Sequence, residues 1–124
     1  MTVVDTSAIV AWLRDEAGAD VVLRELAAGG LVMSTVNLAE VATVLARRGR
    51  KDAAQVLRAV QDSVEVLGFD VAQATRTGAL EPLTAPLGLG LGDRACLALA
   101  RERGEPVLTA DRAWAELPSS VGVE

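Results

Sequence analysis

The chain has 124 residues, 51% of them hydrophobic, with a net charge of −5. That is enough for one domain (residues 1–124) with a well-filled core, and it excludes a disordered chain. The absence of histidine and the single cysteine, Cys96, exclude a thiolate zinc centre, a disulfide framework and a Ser-His-Asp triad, while the few aromatics (Trp12, Phe69, Trp114) exclude a stacking platform for single-stranded bases.

In chain order, Thr2 to Val4 reads as a short buried strand and Thr6 to about Asp15 as a helix. Ala19 to Ala28 places Val22, Leu23 and Leu26 on one helical face and ends at Gly29-Gly30. Leu31 to Met33 is a second strand. Thr35 to Arg48 carries Leu38, Val41, Ala42 and Leu45 at helical spacing until Gly49 stops it. Asp52 to about Val64 is a long helix, Val64 to Phe69 a third strand, and Asp70 to Leu80 a further helix, after which Pro82 and Pro86 break the backbone. Gly92 to Arg103 is apolar nearly all round, which predicts a central buried helix. Pro106 to Thr109 is a strand, Asp111 to Leu117 a short helix, and Val121 to Val123 an edge strand. Short apolar strands alternating with helices predict an α/β fold, a three-layer α/β/α sandwich with a mostly parallel central sheet.

Four acids stand at the ends of apolar segments or the starts of helices. Asp5 follows Val3-Val4, Asp111 follows Val107-Leu108-Thr109-Ala110, Asp93 opens the central helix, and Glu40 lies early in the helix that begins near Thr35. In a parallel α/β sheet the carboxyl ends of strands gather ligands. Capping explains each acid singly: Asp5, Asp93 and Asp111 suit N-caps, and Asn37-Leu38-Ala39-Glu40 matches a capping box. Capping alone would use Ser, Thr, Asn and Asp indifferently, whereas all four positions are acids. Four carboxylates in one place repel unless cations lie between them, and an all-oxygen set suits a hard ion such as Mg²⁺. Such an ion can activate water and stabilise a phosphate under in-line attack.

Other chemistry is faintly marked. Gly88-Leu89-Gly90-Leu91-Gly92 lacks the spacing of a dinucleotide fingerprint and reads as a loop leading into the central helix. The basic run Arg47-Arg48-Gly49-Arg50-Lys51 is either a solvated helix end or a phosphate-contacting patch, and with the four acids set aside the rest of the chain, this run included, is nearly neutral. Asp5 interrupts the stretch where a signal peptide stays uncharged, and no run approaches the length of a membrane span. A soluble, cytoplasmic protein with no membrane association is therefore expected.

Val3-Val4-Asp5-Thr6-Ser7-Ala8, Asn37-Leu38-Ala39-Glu40-Val41, Gly92-Asp93-Arg94-Ala95-Cys96-Leu97-Ala98 and Val107-Leu108-Thr109-Ala110-Asp111-Arg112-Ala113-Trp114 resemble, in order and spacing, the four motifs of PIN-domain ribonucleases. The size resembles the toxin subunits of VapBC-type toxin–antitoxin modules. The resemblance implies an endoribonuclease that uses Mg²⁺ or Mn²⁺. Asp5, Glu40, Asp93 and Asp111 would be its catalytic acids, Asp5, Asp93 and Asp111 the metal ligands, and Thr6 and Thr109 hydrogen-bonding supports. It implies as partners an RNA substrate, a second copy in a homodimer, and a small antitoxin covering the active-site groove. The glycine-rich lead-in to the third motif departs from the more usual mixed apolar one, which leaves the local loop geometry open.

Rival classes fit less well. A receiver-type phosphoacceptor domain needs a second acid beside Asp5 and a lysine ending a late strand, yet Thr6 follows Asp5 and the only lysine is Lys51. A haloacid-dehalogenase-like phosphatase needs an acid where Ser7 stands. A PIN-like scaffold that binds RNA or protein without cleaving is the non-enzymatic alternative.

Overall fold

The computed structural model describes residues 1–117, so the edge strand expected at Val121 to Val123 lies outside the described residues. β1 (Thr2–Val4), β2 (Leu31–Ser34), β3 (Glu65–Leu67) and β4 (Val107–Leu108) form a parallel sheet in the order β3-β2-β1-β4. The helices are α1 (Thr6–Leu13), α2 (Ala19–Ala28), α3 (Thr35–Arg47), α4 (Ala53–Ser63), α5 (Val71–Ala79), α6 (Glu81–Thr84) and α7 (Leu91–Arg103).

Strand alternation explains the layering. Val3, Val32, Leu67 and Val107 point to one face, where they pack with Leu80 after α5 and with Cys96, Leu97 and Leu99 of α7. Val4, Leu31, Met33, Val66 and Leu108 point to the other, against Ala8 and Ile9 of α1, Val22 of α2, Val41 and Leu45 of α3, and Val60 of α4. Both faces of the sheet are thus covered by helices, as a parallel sheet requires. The expected burial of the last long helix is observed: every residue from Ala95 to Ala100 is buried.

Several boundaries differ from those read in the sequence, each for a local reason. The third strand is only Glu65–Leu67, with Val64 closing α4 and Gly68 following. Pro82 and Pro86 start short turns, the four-residue α6 and a 3-10 turn at Ala85–Leu87; proline suits a first turn because its missing N–H has no partner there. The segment after β4 winds as a 3-10 turn, Arg112–Glu116. Ser34, not Asn37, caps α3: its side chain accepts the Val36 N–H at 3.2 Å. The capping box read at Asn37 to Glu40 is therefore not a cap, because Asn37 already lies inside the helix.

Strand order places a topological switch beside β1. The chain winds from β1 to β2 to β3 on one side, then crosses to β4 on the other. The carboxyl ends of β1 and β4 consequently border the crevice where doubly wound sheets bind ligands, and Asp5 and Thr109 are the residues that directly follow those two strands.

Leu97 is fully buried between this sheet and its helices. Leu97→Ala is expected to cost roughly 2–5 kcal/mol in urea unfolding, from lost transfer energy plus a residual cavity. A cost below about 1 kcal/mol would show that α7 is not the centre of the core.

Candidate active site

Asp5 caps α1 only weakly, accepting the Ser7 N–H at 3.4 Å. Its shorter bonds come from hydroxyls, Ser7 Oγ at 2.7 Å and Thr109 Oγ1 at 3.1 Å, and all three donors converge on Oδ2. Those hydroxyls in turn accept backbone N–H groups of the loop after β4: Ala110 N donates to Ser7 Oγ at 3.0 Å and Asp111 N to Thr109 Oγ1 at 3.1 Å. Each hydroxyl hydrogen is thereby left free to point at the carboxylate. The loop bearing Asp111 is tied to Asp5 across the switch point.

Asp5 Oδ1 is different. Asp5 is 1% exposed, and this second oxygen is buried without a hydrogen-bond partner. A carboxylate oxygen in that state is costly unless the group is protonated or meets a cation. Burial is the main reason the Asp5 carboxyl is pushed up to about 6; the Ser7 and Thr109 hydroxyls pull it down, and the charge of Asp93 raises it further.

Asp93 is the third residue of α7, not its N-cap, and reaches back to accept the Gly90 N–H at 3.1 Å. Burial raises its carboxyl above the ordinary range, the Gly90 amide opposes this, and Glu40 and Asp111 add like charge. Asp93 thus couples electrostatically to the three other acids. Glu40 lies in the second turn of α3. Its Oε1 accepts from Thr6 Oγ1 at 2.8 Å and from Asn37 Nδ2 at 3.2 Å. A Cβ on Gly92 would overlap the Glu40 carboxylate, so the glycine at the start of α7 makes room for it. This settles the loop geometry that the glycine-rich lead-in left open: Gly92 is required by contact, and Gly88 by its left-handed φ of 66°.

Asp93 therefore lies within electrostatic reach of Asp5, Glu40 and Asp111 near the carboxyl edge of the sheet. Asp5, Glu40 and Asp93 have no cationic side chain at ion-pair distance among the described residues. Beneath them Cys96 is buried in α7, and burial, then Asp5, Asp93 and Glu40, push its thiol well up. It stays protonated, which removes it as a nucleophile. Among the described residues no three acids converge into a ready-made metal cage. The donor set is oxygen throughout, and the bare Asp5 Oδ1 is of the kind a hard cation takes as a ligand.

Thr6 and Thr109 occupy the supporting positions that their motifs suggested. Sequence reading missed two participants. Ser7, noted in the sequence only as standing where a phosphatase would need an acid and as lacking a histidine partner, proves to be a strut for Asp5. Asn37 is a buried brace, and only its position three residues before Glu40 hinted at this. The basic run does not join the site. Arg47 ends α3 about 10 Å further along the helix axis than Glu40, towards the opposite sheet edge. Arg50 is engaged by Asp52 through two bonds of 2.9 and 2.7 Å.

A parallel α/β sheet whose switch point carries a cluster of carboxylates defines the class of this fold and site. A family model of the PIN domain matches residues 2–119, and the chain belongs to that family. Solved structures sharing the fold include the Mycobacterium tuberculosis toxin VapC20, described as cleaving the sarcin–ricin loop (20% identity, 94% of each chain, TM-score 0.77). A toxin–antitoxin complex from Klebsiella pneumoniae is also similar (20% identity, 100% of this chain and 96% of that one, TM-score 0.73). So is a DNA-bound VapBC from Salmonella typhimurium (21% identity, 100% and 96%, TM-score 0.69). No curated protein matches the sequence. Among the described residues no helix is long and apolar enough to cross a membrane.

The raised Asp5 carboxyl makes a signed prediction for the metal-free protein. A folded-state value near 6 against 3.8 unfolded stabilises the fold below pH 3.8, and that contribution is lost as pH rises through 6. Just over two units corresponds to about 3 kcal/mol. In EDTA the thermal midpoint of Asp5→Asn relative to wild type should therefore rise between pH 4 and 6.5, by something on the order of 10 °C. A difference constant across that window would mean that Asp5 is not desolvated.

Proposed function

We propose that the chain is a metal-dependent endoribonuclease, the toxin of a toxin–antitoxin pair. The observation that carries this reading is the buried Asp5 with one oxygen accepting three donors and the other bare, beside an Asp93 that repels it and is itself repelled by Glu40 and Asp111. Membership of the PIN family and the fold shared with VapC toxins support it.

Asp5, Asp93 and Asp111 would hold Mg²⁺ or Mn²⁺. A bound ion supplies charge stabilisation to the scissile phosphate and activation of the attacking water. Ser7 and Thr109 fix the rotamer of Asp5, so that Oδ1 is presented rather than turned into a hydrogen bond. Glu40, with Oε1 anchored by Thr6 and Asn37, keeps Oε2 free of hydrogen bonds and able to accept a proton from water. With no histidine or tyrosine in the chain, this carboxylate is the available general base.

RNA is the proposed substrate, because the cluster suits phosphodiester hydrolysis and the similar toxin VapC20 is described as cleaving the sarcin–ricin loop. A small antitoxin is the proposed partner, since the similar Klebsiella and Salmonella structures are toxin–antitoxin assemblies. A cytoplasmic homodimer of one-domain protomers completes the reading.

Asp5→Asn and Asp93→Asn should each reduce cleavage of an RNA pool by about 100-fold or more while circular dichroism shows an intact fold; amides still accept capping hydrogen bonds. Excess EDTA should abolish wild-type cleavage, and Mn²⁺ should restore it. Cleavage that persists in EDTA would contradict the metal-dependent reading. A wild-type protein that binds Mn²⁺ and RNA without cutting would make the chain a scaffold instead.

A further inference from the structure

Asn37 is fully buried, yet it is neither a cap nor a carboxylate. Its Nδ2 lies 3.1 Å from Thr6 Oγ1, 3.2 Å from Glu40 Oε1 and 3.1 Å from the Gly92 carbonyl. Those three groups belong to α1, α3 and the first turn of α7, and Gly92 immediately precedes Asp93. Glu40 Oε1 and the Gly92 carbonyl can only accept, so the amide must turn its NH₂ towards them. Its own Oδ1 is then left buried and without a partner. A buried amide that leaves its oxygen unsatisfied in order to donate from its nitrogen is poor economy for stability alone.

From this geometry we infer that Asn37 is a positioning residue that sets the spacing between Glu40 and Asp93. The inference rests on the reading of the acid cluster as a cation site. One NH₂ group bridges the Glu40 carboxylate and the backbone that carries Asp93, and Thr6 closes the triangle by donating to the same Glu40 oxygen. A neutral donor is the suitable group at this point. An acid would add a further like charge, and a cation would quench the field of the carboxylates before a metal could use it. Gly92 completes the device, since any Cβ there would push Glu40 away from the bridge. Partners around a metal site that orient its ligands commonly govern affinity even though they never touch the ion.

The test is Mn²⁺ titration by calorimetry on the folded protein, which needs no RNA and no turnover. Asn37→Ala should weaken Mn²⁺ binding roughly ten-fold. In a Glu40→Gln background, which removes the charge that Asn37 holds in place, the same substitution should weaken binding no more than about two-fold, because neighbours acting through one another are not additive. If Asn37→Ala does not fold, Asn37→Leu, of similar shape and without a donor, replaces it in both backgrounds. In RNA cleavage the loss should fall on kcat and leave KM within about two-fold. Equal losses of Mn²⁺ affinity in the two backgrounds, or unchanged affinity with only a lower thermal midpoint, would overturn the inference and leave Asn37 a packing residue. Wild-type protein that binds Mn²⁺ but cuts no RNA would count against the proposed function while leaving this inference intact.

Discussion

The structure turns on a carboxylate that is satisfied on one side only. Asp5 Oδ2 gathers three donors, and Oδ1, equally buried, has none. Oδ2 repays its burial by accepting from Ser7 and Thr109, whereas nothing among the described residues offsets the burial of Oδ1. What surrounds it makes the imbalance larger. Asp93 raises the cost of ionising Asp5, and Glu40 and Asp111 raise the cost of ionising Asp93. The electrostatic strain can be relieved in two ways, by a proton on Asp5 or by a cation of matching hardness.

The rest of the fold supplies and holds that arrangement. Parallel strands point their carboxyl ends to one edge, and the crossover from β3 to β4 opens the crevice beside β1. Two hydroxyls, Ser7 and Thr109, fasten the loop after β4 to the start of α1. On the other side Thr6, Asn37 and Gly92 fasten α3 to α7. The buried body of α7, packed between the sheet and α5, fixes the axis along which Asp93 is delivered. The pairs that build the site are thus anchored to buried elements, which keeps repelling charges from simply moving apart.

How much of this was legible in the sequence depends on whether a signal is local. α2 and α7 announce themselves by apolar spacing and by glycines at their ends, and the strands by short runs of Val, Leu and Met. β3 was overextended because Val64 and Phe69 flank it with apolar character but no pairing. The cap of α3 was misplaced because Ser34 is also the last strand residue, and a capping-box pattern three residues later is indistinguishable by composition. Asp5, Asp93 and Asp111 stood out because they sit just after a strand or in the first turn of a helix, and Glu40 because it lies early in α3. Their supports did not, since Ser7 meets Thr109 across 102 residues and Asn37 meets Gly92 across 55. Nothing in a single sequence marks such a pairing. The basic run was conspicuous as composition, yet its place at the far end of α3 and the engagement of Arg50 by Asp52 separate it from the acids.

The central claim is that the acid cluster is incomplete without a hard cation. It is tested most directly by the thermal midpoint of the wild-type protein at neutral pH as Mn²⁺ or Mg²⁺ is titrated in after EDTA treatment. Binding to the folded state alone should raise the midpoint with the logarithm of free metal, giving about 2.7 kcal/mol of added stability at a hundred times the dissociation constant. Asp5→Asn should lose most of that dependence. A wild-type midpoint that stays flat from micromolar to several millimolar metal would contradict the claim.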